Sequence, residues 1–176
     1  MRKLNTIIKG LKGTLLGIGL DEKLLEIIEK NNDINNCFIM EDRSRLSKKF
    51  DFFGGGKDKK VNIKKIRKIF KKKTLDNIIC NYKTIKPYFR HFVSNSIYIN
   101  KGFLYLYGNL TNDDIEKIQA RYSRYKSKIT IQKEKDYAII IIDNADIKTG
   151  FFKDKLYIFL DFFTDFIDIL TTLLVG

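Results

Sequence analysis

Few residues in this chain are of the types that do chemistry, and fewer are spaced for it. His91 is the only histidine and has no second ligand at helical spacing, while Cys37 and Cys80, the only cysteines, lie far apart. Neither a metal site nor a disulfide framework is expected from such a set. Cys80 ends the apolar run Leu75 to Cys80, where a thiol acts as a small hydrophobe. Three local patterns remain. Gly17-Ile18-Gly19 sits in the apolar run Thr14 to Leu20, where glycine either lets a ligand approach the backbone or simply makes a tight strand-to-helix turn. Glu41 and Asp42 end a second run, Asn36 to Met40, with Glu41 22 residues after Gly19. That spacing suits an acid receiving ribose hydroxyls in dinucleotide-type folds, and equally an acidic helix N-terminus. Asn81 and Tyr82 follow the third run and bring an amide and an aromatic ring to its end.

The fourth pattern is charge. The chain has 176 residues with 34 Lys+Arg against 21 Asp+Glu, a formal +13. Between Arg43 and Lys73 there are 14 bases and two acids, so +12 of that excess lies in one stretch and the rest of the chain is nearly balanced. Lys64, Lys65, Arg67, Lys68, Lys71 and Lys72 would line the outer face of a helix from Ile63 to Lys73 whose inner face is Ile63, Ile66, Ile69 and Phe70. An unneutralised face of this kind attracts polyanions, RNA or DNA first, because phosphate neutralisation releases counterions whatever the sequence. An anionic membrane surface and a merely solvated face are the alternatives.

These patterns need elements to hold them, and the hydrophobic spacing supplies an alternating series. Thr14 to Leu20 reads as a strand and Asp21 onward as an amphipathic helix with acids in its first turn. Asn36 to Met40 is a second strand. Residues 43–60, basic and carrying Gly54, Gly55 and Gly56, read as a loop, and Val61 to Ile63 as a short third strand. Then follow the basic helix, the strand at Leu75, a helix around Ile85 to Ser94 and a β-rich segment from Ser96 to Tyr107. A helix with Thr111 as N-cap and two strands, Ile129 to Asp136 and Tyr137 to Asp143, close the series. Such alternation predicts an α/β fold, a mostly parallel seven-stranded sheet covered on both faces by helices, in one domain over residues 1–176.

This order, with its final pair of adjacent strands, resembles the class I S-adenosylmethionine-dependent methyltransferases, over roughly Leu11 to Asn144. The resemblance implies a Rossmann-like three-layer sandwich whose last strand is antiparallel and an S-adenosylmethionine cofactor received by Gly17 and Gly19 of LLGIGLDE. It also implies Glu41 or Asp42 at the ribose and Asn62 near the adenine. Asn81 and Tyr82 would match the positions that orient the methyl-accepting atom, although the prolines usual between them are absent and Leu20 and Asp21 replace the rest of the glycine turn. Two functions follow from it together with the basic stretch. One is a divergent S-adenosylmethionine-dependent methyltransferase-like protein acting on nucleic acid. The other is a non-catalytic nucleic-acid-binding or assembly module that keeps the fold without the cofactor.

The segment from about 154 to 175 is apolar but carries Asp154, Asp161, Asp165 and Asp168 along one helical stripe. Carboxylates at that depth are costly in a bilayer, so a helix packed on the sheet or pairing with a second chain, as in a homodimer, is expected rather than an integral membrane span. MRKLNTIIKGLKG lacks a long apolar core or cleavage pattern, and with two distant cysteines that support no disulfide scaffold the expected location is the cytoplasm.

Overall fold

The computed structural model describes residues 2–40, 50–52, 66–134 and 137–147, together with Leu156, Phe159 and Phe163. Helix α1 (Arg2–Lys9) precedes β1 (Gly13–Ile18), α2 (Glu22–Glu29), β2 (Ile34–Met40) and β3 (Phe50–Phe52). Then come α3 (Ile66–Ile69), β4 (Leu75–Asn81), α4 (Tyr82–Ile85), α5 (Phe89–Ile99), β5 (Asn100–Gly108), α6 (Asn112–Ser123), β6 (Lys128–Glu134) and β7 (Tyr137–Asp143). The seven strands form one sheet in the order β3-β2-β1-β4-β5-β7-β6. Strands β1 to β5 pair in parallel, and β7 runs antiparallel to both of its neighbours. This is the expected sandwich with its last strand reversed.

Parallel strands covered on both faces need apolar side chains on both, and the alternation delivers them. Leu16, Ile18, Ile78, Cys80, Leu104, Leu106, Ile140 and Ile142 point to one layer, where α3 to α6 pack with Phe92, Ile97, Ile118 and Tyr122. Leu15, Ile39, Ile79, Tyr105, Tyr107 and Ile139 point to the other, under α1 and α2. Helix α2 starts where Asp21 accepts the Leu24 N–H at 2.9 Å, and α6 starts on a reciprocal box between Thr111 and Asp114.

Four boundaries differ from the sequence expectation. Helix α1 was not anticipated; Leu4 and Ile8, one turn apart, are fully buried against α2, each stabilising by about 1.5–3 kcal/mol. The third strand is Phe50–Phe52, paired through Cys37 opposite Phe50, inside the stretch expected to be a loop. Its three residues are too short a run to stand out amid lysines and glycines. Val61 to Ile63 lie outside the described residues. The basic helix, expected to reach Lys73, ends at Ile69, because Phe70 turns into the core and Lys73 takes a left-handed φ of 55°. There Lys73 donates its N–H to the Tyr98 carbonyl at 2.9 Å and its Nζ to the Asn100 carbonyl at 2.8 Å. Finally, Ser96 to Ile99 belong to α5 and not to a strand. The Ser96 hydroxyl bonds the Val93 carbonyl at 2.9 Å and the Tyr122 hydroxyl at 2.8 Å, so a polar residue is accommodated in a buried helical turn.

Among the described residues no helix is long and apolar enough to cross a membrane. Of the expected C-terminal helix, Leu156, Phe159 and Phe163 are helical.

Candidate functional site

The C-terminal ends of β1, β4 and β5 meet at one edge of the sheet, the edge where open α/β folds bind ligands. Gly17 lies in β1 between Ile39 and Ile79. A Cβ there would come within 2.5 Å of Leu20 Cδ1 and 2.8 Å of Ile39 Cδ1, because Leu20, itself buried, folds back over the strand it has just left. Gly19 makes the turn with φ 64°, and a Cβ on it would overlap the Thr84 side chain, whose own Cβ stands 2.8 Å away. From the other side the Tyr107 hydroxyl, at the end of β5, donates to the Gly19 carbonyl at 3.2 Å. The glycine turn is therefore gripped between the first helical turn after β4 and an aromatic of β5.

Asn81 is the last residue of β4, and its Oδ1 accepts the Lys83 N–H at 3.1 Å, which caps α4. Tyr82 turns away from the edge into the core. Its ring meets Phe89 edge-on at 5.4 Å between centroids. Burial first, and then the neighbouring Asp114 carboxylate, push its phenol far above the usual range. A ring so packed has no free face for a base. Asp114 is buried as well; burial works against its charge, but bonds from Lys86 (2.9 Å), the Thr111 hydroxyl (2.9 Å) and the Thr111 N–H (3.2 Å) hold its carboxyl below the ordinary value. Tyr137 stands beside Tyr107 with ring centroids 6.0 Å apart. Its hydroxyl is buried and has no hydrogen-bond partner among the described residues. Burial, followed by the fields of Asp21 and Glu134, raises its pKa too. Thr84, Tyr107 and Tyr137 went unremarked in the sequence, where a threonine and two tyrosines carry no motif.

The structure brings Gly17, Gly19 and Asn81 to one edge, while the Tyr82 side chain leaves it for the core. Glu41, Asp42, Asn62, Lys64 and Lys65 lie outside the described residues. Lys68 is in α3. Arg67, expected on the outer face, points inward: its guanidinium donates to the Ser94 carbonyl at 2.7 Å and lies 4.6 Å above the Tyr98 ring. Lys71 and Lys72 face solvent. Among the described residues no group of three His, Cys, Asp or Glu could hold a metal ion. Both cysteines are buried and neither is in a disulfide, and burial raises the Cys80 thiol well above its usual value.

No protein-family model matches the chain, and no curated protein matches it in sequence. Solved structures do match in shape. An O-methyltransferase family protein from Burkholderia thailandensis superposes with a TM-score of 0.57 at 8% identity, over 82% of this chain and 56% of that one. The fold is that of class I S-adenosylmethionine-dependent methyltransferases. Another similar structure is the complex of the Haloferax volcanii Trm112 methyltransferase activator with a putative methyltransferase. It has a TM-score of 0.58 at 9% identity, over 85% of this chain and 90% of the other. A third is Streptococcus pneumoniae Sp1610, a putative tRNA (m1A22) methyltransferase in complex with S-adenosyl-L-methionine. Its TM-score is 0.53 at 14% identity, over 87% and 77%. This chain thus spans little more than half of the Burkholderia protein and most of the other two.

A cofactor cradle is a glycine turn whose missing side chains leave room for a ligand. Here the room in front of both glycines is taken by this chain's own Leu20 and Thr84, and the turn's carbonyl is bonded by Tyr107. Among the described residues both glycines of the turn are accounted for by internal packing.

Proposed function

We propose that this chain is a methyltransferase-fold protein working as a nucleic-acid-binding module without methyl-transfer chemistry. The observation that carries the reading is the contact of Gly19 with Thr84. Both glycines of the turn are explained by internal packing, so nothing in the turn requires a ligand. Asn81 caps a helix and Tyr82 is buried, which leaves the acceptor-orienting positions in structural roles. The +12 stretch at residues 43–73 supplies the binding energy by counterion release.

Calorimetry with S-adenosylmethionine tests the first half: no saturable heat is expected up to millimolar cofactor. Saturable binding that Glu41→Ala weakens would overturn it. Fluorescence anisotropy with single-stranded RNA and duplex DNA tests the second half. Affinity should fall steeply with salt and be lost when Lys64, Lys65, Lys68 and Lys71 are changed to Glu; an unaltered affinity would reduce the stretch to a solvated face.

A second reading, a cofactor-dependent nucleic-acid methyltransferase, is favoured by the left-handed turn at Gly19 directly before the capped helix α2. The similar Streptococcus structure, which holds S-adenosyl-L-methionine, points the same way. On that reading Thr84 must move aside, and Thr84→Gly would strengthen cofactor binding.

A further inference from the structure

The sheet has a second edge, opposite the one that holds Gly19 and Asn81, and positive charge collects there. Residues 70–74 lead into β4 and residues 124–127 into β6, strands that run in the same direction, so both loops lie at the foot of the sheet. Hydrogen bonds join them: the Lys73 Nζ donates to the Asn144 carbonyl and the Ser127 hydroxyl to the Asn144 Oδ1, each at 3.2 Å. The first loop ends a run, residues 66–73, of five bases without an acid; the second ends another, residues 117–128, again five bases without an acid. Folding thus unites two basic runs that are far apart in the sequence, and the second lies outside the stretch 43–73.

The two helix layers differ in the same sense. Segments 2–12 and 19–33, on one face, hold six bases and five acids, whereas segments 66–73, 82–99 and 109–128, on the other, hold thirteen bases and three acids. Those three acids, Asp113, Asp114 and Glu116, begin α6 at the end away from the foot, where Asp113 pairs with Lys117 (3.0 Å) and Asp114 with Lys86 (2.9 Å). At the foot Asp76 holds Lys101 at 3.0 Å, and Asp143 and Asp146, at the end of β7, offset only part of the remaining charge. Lys71, Lys72, Lys126 and Lys128 are exposed.

Lys126 bears most directly on what this charge is for. Among the described residues the non-glycine positions with a left-handed φ are Lys73, at 55°, and Lys126, at 61°. The bonds of Lys73 to buried carbonyls account for it, but Lys126 is exposed and sits just past α6, donating its N–H to the Ser123 carbonyl at 2.9 Å, where glycine is the unstrained choice. Arg121 and Arg124 already bring cations to that helix end. An outward lysine kept in a strained conformation serves contacts outside the chain. Tyr122 and Tyr125, the aromatic residues of the run, are buried, so it offers phosphate contacts and no ring for a base to stack on. We propose, resting on the nucleic-acid-binding reading above, that the foot of the sheet docks the sugar-phosphate backbone of a nucleic-acid duplex, with Arg124, Lys126 and Lys128 extending the contact made by Lys71 and Lys72.

Fluorescence anisotropy over a salt series tests this with a short mixed-sequence duplex, as DNA and as RNA, and with the matching single strand. The wild type should bind duplex at least as tightly as single strand; a clear preference for the single strand overturns the proposal. Changing Arg124, Lys126 and Lys128 together to Gln should weaken duplex binding at least tenfold and reduce the slope of log affinity against log salt by about 2–3. Lys126→Gly should reduce the slope by about 1 without lowering the melting temperature, because glycine takes that φ freely; an unchanged slope would make Lys126 a helix end and nothing more, against the proposal. Binding that is lost with Lys64, Lys65, Lys68 and Lys71 changed to Glu, yet unaltered by the triple Gln variant, overturns the docking surface alone. A wild type that binds no nucleic acid overturns the nucleic-acid reading as well, and if it pellets with phosphatidylserine vesicles instead, the surface belongs to a membrane.

Discussion

Replacing Gly19 with alanine distinguishes a glycine kept for packing from one kept for a ligand. Two costs are separable. At φ 64° an L-residue loses about 1–2 kcal/mol to the clash of its Cβ with its own backbone. The same Cβ would overlap the Thr84 hydroxyl and lie 2.8 Å from the Thr84 Cβ, an overpacking that costs about 1–3 kcal/mol. Together Gly19→Ala should destabilise by roughly 3 kcal/mol, a drop of about 6–12 °C in melting temperature for a chain of this size. Thr84→Ala removes the hydroxyl and methyl and leaves only the Thr84 Cβ in the way. In that background Gly19→Ala should cost only about 1.5–2 kcal/mol, mostly backbone strain. The double-mutant cycle, measured by urea unfolding followed by circular dichroism, should therefore show a coupling of about 1 kcal/mol or more. Additivity within about 0.5 kcal/mol would refute the reasoning. It would mean that the space in front of Gly19 is open in solution and that the glycine answers to something other than Thr84.

Two further outcomes follow from the same edge. Asn81→Ala removes the acceptor for the Lys83 N–H and should cost about 1 kcal/mol of stability, read by the same unfolding curves; a neutral substitution would mean that the side chain is engaged elsewhere. The Asp114 carboxyl titrates below its ordinary value in the folded chain. Its stabilisation is therefore present above the unfolded value, near about 4, and is lost as pH falls through the lower folded value. Asp114→Asn should lower stability at neutral pH and flatten its fall in acid, and an unchanged acid profile would remove Asp114 from the account.

The fold was largely legible because strands buried on both faces must be apolar throughout, and TLLGI, NCFIM, LDNIIC and YAIIIID are the runs that become β1, β2, β4 and β7. Thr111 and Asp113-Asp114 announced α6 for an equally local reason, since a cap is read from consecutive residues. What failed was set by distant contacts. Ser96 to Ile99 are β-branched and aromatic enough for a strand, yet Tyr122, 26 residues on, fixes Ser96 in a helix. Phe50–Phe52 becomes a strand only because β2 offers an edge. The site was legible in position and not in role. Gly17, Gly19 and Asn81 do lie at one edge, Tyr82 packs into the core and Glu41, Asp42 and Asn62 lie outside the described residues, but whether a glycine faces a ligand or a threonine depends on the residue across from it. Nothing near Gly19 in sequence announces Thr84. Arg67 is the same lesson on the basic stretch, as one of its cations is spent on Ser94 and Tyr98.

The pairing of β1 with β4 bears on how the chain reaches this state. Leu15 lies opposite Asn77, so the centre of the sheet forms only when a loop of some sixty residues closes. That loop contains the whole of residues 43–73. Closing it carries an entropic cost that grows slowly with length, and here it also gathers twelve net positive charges into a smaller volume. Their mutual repulsion acts over a screening length of about 8 Å at physiological ionic strength, so it is felt most in dilute salt. Higher ionic strength, or a polyanion bound to the stretch, should therefore lower the electrostatic part of the cost of closing this loop.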